Sequence, residues 1–133
     1  MVRQNRQKER IDQGGLVSWI RLQHKDVFVV ASANGAIRSA QQARFAVREG
    51  VMPGMPDLQI CRAAGEYHGL FIELKRKECA EHKKGVLKKN QKECIEKLNE
   101  EGYLAVVCYG FDDAKDTIDW YLGLEKTPEK AKG

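Results

Sequence analysis

No run approaching the roughly 18 apolar residues that a membrane-spanning helix requires occurs in this sequence, so no such helix is expected. The basic start, Met-Val-Arg-Gln-Asn-Arg-Gln-Lys, leads into no short apolar stretch and does not read as a secretory signal; a cytoplasmic location is expected. Cysteine is scarce. Cys61, Cys79, Cys94 and Cys108 are widely spaced, and three of them fall in apolar strand or helix patterns, where cysteine behaves as a small buried hydrophobe, so a reducing compartment suits them. A zinc site can be assembled on paper from Cys79, His82 and Cys94, but the spacing matches no paired-cysteine knuckle and a fourth ligand is not obvious. Neither an internal repeat nor a DNA-recognition helix stands out.

The 133 residues that are present suit a single domain with one core. That domain is expected over residues 1–124, with 125–133 a charged, flexible tail. The net charge of +4 is modest, but its positive part is clustered at Arg3 to Arg10, at Lys75-Arg76-Lys77, from Lys83 to Lys92, and from Lys126 to Lys132. Such clusters suit a polyanion, although lysine runs are also the ordinary dress of a solvated surface.

Helical spacing over about Gln4 to Gln23 places Leu16, Val17, Trp19 and Ile20 on one broad face, with Glu9 near its centre and Asp12 near its edge. Gly14-Gly15 weakens this helix by roughly 1 kcal/mol per glycine, so a kink or a close backbone approach is expected there, or a helix that begins only after Gly15. Asp26 to Ala31 reads as a short buried strand ending at the Asn34-Gly35 turn. Ser39 caps a helix that Gly50 closes, with Arg38, Arg44 and Arg48 outside. Strands follow at Asp57 to Arg62 and Leu70 to Lys75. The polar, lysine-rich stretch from Glu78 to Lys89 reads as a mobile loop, and Asn90 as the cap of a helix that turns Gln91, Cys94, Ile95 and Leu98 to one side. Tyr103 to Tyr109 is a continuous apolar run suited to a central strand, and a last helix begins at Asp112 or Asp113. The order of elements is that of a mixed α/β domain.

Met52 to Lys77 holds the chemistry. Its Pro53-Gly54-Met55-Pro56 turn brings Asp57 to the mouth of one strand, and Glu73 and Lys75 share a face of the next. Whether Asp57 joins them depends on register: opposite residue 73 or 75 it does, opposite Leu74 it does not. Two neighbouring carboxylates raise each other's pKa, and a divalent cation relieves that. Oxygen ligands favour magnesium or manganese, which can lower the pKa of a bound water and take up charge on a phosphoryl oxygen, with Lys75 placed to neutralise the transition state. The competing reading makes Glu73 and Lys75 a strand-surface pair and Asp57 a turn cap.

Four motifs in order carry a resemblance: Gly54-Met-Pro-Asp57-Leu, Phe71-Ile-Glu73-Leu-Lys75-Arg76, Gly85-Val-Leu-Lys-Lys-Asn-Gln91 and Gly102-Tyr-Leu-Ala-Val-Val. Together with Asn34-Gly35 and Arg38 they resemble the VRR-NUC family, the virus-type replication-repair nucleases of the PD-(D/E)XK superfamily. The resemblance implies a restriction-endonuclease-like core, a central mixed sheet of about four strands flanked by helices, and a phage-encoded, metal-dependent DNA endonuclease. It implies Asp57, Glu73 and the Leu74 carbonyl as ligands of Mg2+ or Mn2+, Lys75 as the catalytic lysine, Gln91 as a supporting amide, and Glu9, or Asp12 in its place, as the acid of the first helix. Asn34, Arg38, Arg76, Lys77 and Lys88 are the candidate DNA contacts. Small stand-alone members are associated with homodimers acting on four-way junctions. A non-catalytic nucleic-acid-binding module using the lysine-rich 75–92 segment is the alternative; its binding would be salt-sensitive and metal-independent.

Overall fold

The computed structural model describes residues 2–37 and 39–125, with side chains from residue 13 onward apart from those of residues 35 and 36. Helix α1 (Val2–Gln23) leads to strand β1 (Val29–Ala31), a short 3-10 turn (Ala33–Ala36) and α2 (Ala40–Arg48). Strands β2 (Leu58–Ile60) and β3 (Leu70–Lys75), helix α3 (Lys89–Glu100), strand β4 (Leu104–Tyr109) and helix α4 (Phe111–Leu122) complete the chain. The sheet runs β1-β2-β3-β4, antiparallel through its first three strands and parallel between β3 and β4, which α3 connects. This is the mixed four-stranded sheet flanked by helices that the sequence implies.

Both faces of β3 are covered, which is why Leu70, Phe71, Ile72 and Glu73 are all buried. On one face Leu58, Ile60, Leu70, Ile72 and Cys108 meet Leu16 and Ile20 of α1 and Ala114, Ile118 and Tyr121 of α4. Each of the fully buried aliphatic side chains there contributes about 2 kcal/mol relative to exposure. Tyr121 satisfies its buried hydroxyl by donating to the Arg62 carbonyl at 2.5 Å, which ties α4 to the loop after β2. The opposite face lies under α3. At the free edge of β4, Asn99 replaces a strand partner: its side chain takes the Ala105 N–H at 2.8 Å and gives its own N–H to the Ala105 carbonyl at 3.2 Å.

Several expectations change. α1 runs unbroken through Gly14-Gly15, and a Cβ at Gly14 would meet nothing within 4 Å, so no close approach requires these glycines; the buried stripe of Leu16 and Ile20 holds the helix instead. β1 is not buried. It is an edge strand, with Phe28 beside it 68% exposed. α3 begins at Lys89 with Lys88 as its N-cap, so Asn90 lies inside the first turn. Residues 78–88 form no helix or strand, yet the segment is fastened: Gly85 N–H donates to the Arg76 carbonyl at 2.9 Å and the Arg76 guanidinium donates twice to the Lys83 carbonyl. No helix among the described residues is long and apolar enough to cross a membrane. Of the expected tail at 125–133, Glu125 is fastened, its carbonyl accepting the Gly65 N–H at 2.9 Å, and residues 126–133 lie outside the described residues.

Candidate active site

The turn before β2 is built by its prolines and glycine. Pro53 and Gly54 occupy its centre, with Met55 N–H donating to the Met52 carbonyl at 3.3 Å and Gly54 at φ +91°, the pattern of a type II turn. Gly54 is also pressed against α3, where a Cβ would fall 2.7 Å from the Asn90 carbonyl oxygen. The turn thus brings Asp57 up to both β3 and the start of α3.

Register settles the open question. Leu58 pairs with Ile72 and Ile60 with Leu70, so the antiparallel count runs on to Asp57 opposite Glu73. The Asp57 carboxylate accepts the Leu74 N–H at 2.7 Å, taking the place of a ladder carbonyl. Position 56 lies opposite Leu74 in the same count, and a proline there has no N–H to give to the Leu74 carbonyl. One side chain and one missing donor therefore end the β2–β3 ladder at Leu74 and keep its carbonyl out of that pairing.

Glu73 is 3% exposed. Its Oε1 accepts from Gln91 Nε2 at 3.0 Å and lies 3.3 Å from Lys75 Nζ. Gln91 is held in turn, since its carbonyl oxygen accepts the Lys88 N–H at 2.9 Å and so closes the first turn of α3. Oε2 is buried without a hydrogen-bond partner. The neighbouring Asp57 carboxylate cannot supply one while both groups are ionised, because neither then carries a proton to share. Burial, then the charge of Asp57, push the Glu73 carboxyl up to about 7, against the opposing pull of Lys75.

A buried carboxylate oxygen lacking a donor, beside a second carboxylate, fits a hard divalent cation. Among the described residues no group of three or more His, Cys, Asp or Glu side chains could hold a metal, so the acids that these residues offer a cation here are Asp57 and Glu73. That set suits magnesium, which keeps several of its waters, and not a structural zinc. The zinc alternative fails separately: the buried Cys94 thiol turns to the Pro53 carbonyl, 3.6 Å away, and burial raises its pKa.

The remaining site residues divide. Glu9 lies in α1, but its side chain, like that of Asp12, is outside the described residues, as is Arg38 altogether. Asn34 spends its amide N–H on the Met52 carbonyl at 3.0 Å, bracing the Asp57 turn, and Arg76 spends its guanidinium on its own loop. Lys77 and Lys88 are exposed. Sequence reasoning missed Tyr109, which the parallel register sets beside Lys75 on the face that carries Glu73, and Lys84, whose ammonium lies 3.9 Å from the centre of the Tyr109 ring. The apolar run containing Tyr109 gave no sign of which face it would occupy.

Fold and site together place the chain in the nuclease class of mixed α/β domains. The VRR-NUC domain family matches residues 2–112, and the chain belongs to that family of PD-(D/E)XK-type nucleases. A solved structure described as a VRR_NUC domain protein is 31% identical, covers 95% of this chain and 97% of its own, and superposes with a TM-score of 0.71. No curated protein matches the sequence.

The Glu73 carboxyl makes a pH prediction for the protein without divalent metal. Its folded pKa of about 7 lies above the ordinary 4.5, so ionisation opposes folding: this group costs nothing below about pH 4.5, and the cost grows as pH rises to about 7 and then levels. The gap corresponds to about 3 kcal/mol. Denaturant unfolding in chelator should therefore show the parent losing about that much stability relative to Glu73→Gln between pH 4.5 and 8. A constant difference across that range would mean that Glu73 ionises freely in the fold.

Proposed function

We propose that this protein is a magnesium- or manganese-dependent endonuclease that cuts branched DNA, with the four-way junction its favoured substrate. The observation that carries the reading is the buried, donorless Oε2 of Glu73 beside Asp57, an arrangement that a divalent cation and a phosphodiester would complete. When bound, the ion activates water and offsets charge on the phosphoryl oxygen. Asp57, Glu73 and the Leu74 carbonyl would hold it. Gln91 fixes the Glu73 carboxylate through Oε1, so that Oε2 would be the oxygen offered to a bound ion, and Lys75 would hold a positive charge where negative charge grows during hydrolysis. Glu9 of α1 is proposed as a further acid, and Asn34, Arg38, Arg76, Lys77 and Lys88 as the DNA-facing residues.

A homodimer acting in phage replication or repair in the host cytosol completes the proposal. Two symmetric cuts across a junction need two sites related by a two-fold axis. α2 buries none of its residues and presents Phe45 at 55% and Val47 at 49% exposure, an apolar surface with which a second copy could pair. The test is cleavage of a four-way junction, a flap and a linear duplex with magnesium or manganese, with Glu73→Gln as control. Junction cutting that Glu73→Gln abolishes supports the proposal. Uniform nicking of linear duplex makes the protein a general nuclease, and intact DNA in every lane removes the catalytic reading.

A further inference from the structure

Tyr109 lies on the catalytic face without a part in the chemistry described above. The parallel register sets it beside Lys75, and the two strands are still joined there, with Gly110 N–H donating to the Lys75 carbonyl at 3.0 Å. The Lys84 ammonium, from the fastened loop after β3, lies 3.9 Å from the centre of its ring. Next to the ring is an open cavity of about 540 Å3, lined by Phe111, Asp112 and Asp113 at the start of α4 and by Lys77, Glu78 and Lys84.

The lining selects among the parts of a nucleic acid. The lining mixes the carboxylates of Glu78, Asp112 and Asp113 with the ammonium groups of Lys77 and Lys84, so it is not the wholly basic cradle that a lone phosphate would select. A nucleobase suits it, offering a flat face to the aromatic ring and N–H groups to carboxylates, with the lysines left for the backbone. Asp113 already accepts the Tyr109 N–H at 2.8 Å, which leaves Asp112 and Glu78, both exposed, for the base. A base within a duplex is stacked on both sides and reaches the ring only at the cost of unpairing and unstacking, about a few kcal/mol, whereas one left unpaired at a branch point does not bear that cost.

We propose that Tyr109 and the cavity beside it dock an unpaired nucleobase next to the phosphate being cut, the base displacing Lys84 from the ring and Lys84 moving onto the backbone. The inference rests on the nuclease reading and supplies it with a source of structure selectivity that involves no base sequence.

The test is binding rather than cleavage, in chelator and at one fixed salt concentration, so that a failure of catalysis cannot be mistaken for a failure of this site. Fluorescence anisotropy would compare a short single-stranded oligonucleotide with a blunt duplex for the parent, Tyr109→Phe and Tyr109→Ala. Tyr109→Ala should weaken single-strand binding by about tenfold, with duplex binding within about twofold of the parent and Tyr109→Phe close to the parent on both. A single strand carrying 2-aminopurine gives a second reading on the unaltered protein, where stacking on the ring quenches the probe. Unchanged single-strand binding by a folded Tyr109→Ala protein overturns the proposal, as does equal loss on single strand and duplex. Absence of quenching with the parent overturns it even if the alanine variant does not fold.

Discussion

Asp57→Ala is expected to lower magnesium-supported DNA cleavage by about a thousandfold, the size of losing several kcal/mol of metal-mediated stabilisation in the transition state. Alanine alone would be ambiguous, because the Asp57 carboxylate also accepts the Leu74 N–H and so helps to hold the end of β3. Asp57→Asn separates the two roles. An asparagine oxygen can still take that N–H, so folding should be near the parent's, while the charge proposed to hold the cation is gone. Cleavage by the asparagine variant should fall nearly as far as that of alanine. Lys75→Ala should lose about a hundredfold to a thousandfold, as expected for removing one preorganised positive partner of the transition state. Parent-like rates from a folded Asp57→Asn protein would show that the carboxylate charge takes no part.

The sequence disclosed the strand that carries the site and left open the geometry that completes it. β3 lies at Leu70 to Lys75, as alternation and burial imply, because an apolar Leu70-Ile72-Leu74 face can point only to a core. The register that places Asp57 opposite Glu73 depends on contacts far apart in the chain. The loop between β2 and β3 is fixed by an Ala64–Tyr67 bridge of its own and by Tyr121 of α4 reaching the Arg62 carbonyl, and no local spacing reveals the second. β1 was misjudged because Phe28 and Val30 are apolar in either case, and composition cannot tell an edge strand from a central one. The loop after β3 has no periodicity to read, since Arg76 and Gly85 organise it through backbone carbonyls that any residue would supply. Gln91 was legible as an inward amide. Its grip on Lys88 N–H, which makes it both helix cap and brace for Glu73, was not.

Gly54 and Gly50 form a matched pair for testing how the turn positions Asp57. Both have positive φ, +91° and +109°, where an L side chain is strained by about 1–2 kcal/mol. Their surroundings differ. A Cβ at Gly50 meets nothing within 4 Å, whereas one at Gly54 meets the Asn90 carbonyl oxygen at 2.7 Å and its carbon at 2.8 Å. Backbone atoms cannot swing aside as a side chain can, so Gly54→Ala must push the turn away from the start of α3. Gly50→Ala should cost about 1 kcal/mol, and Gly54→Ala about 3 kcal/mol once overpacking is added, a fall in Tm on the order of 10 °C. The displacement also has a chemical consequence, because Asp57 rides on the turn and Gln91 on the helix, and the two meet at Glu73. A shift of about 1 Å between them should reduce cleavage about a hundredfold in protein that remains folded at the assay temperature, while Gly50→Ala cuts like the parent. Equal stability and equal cleavage for the two variants would show that contact between turn and helix does not hold Asp57 in place.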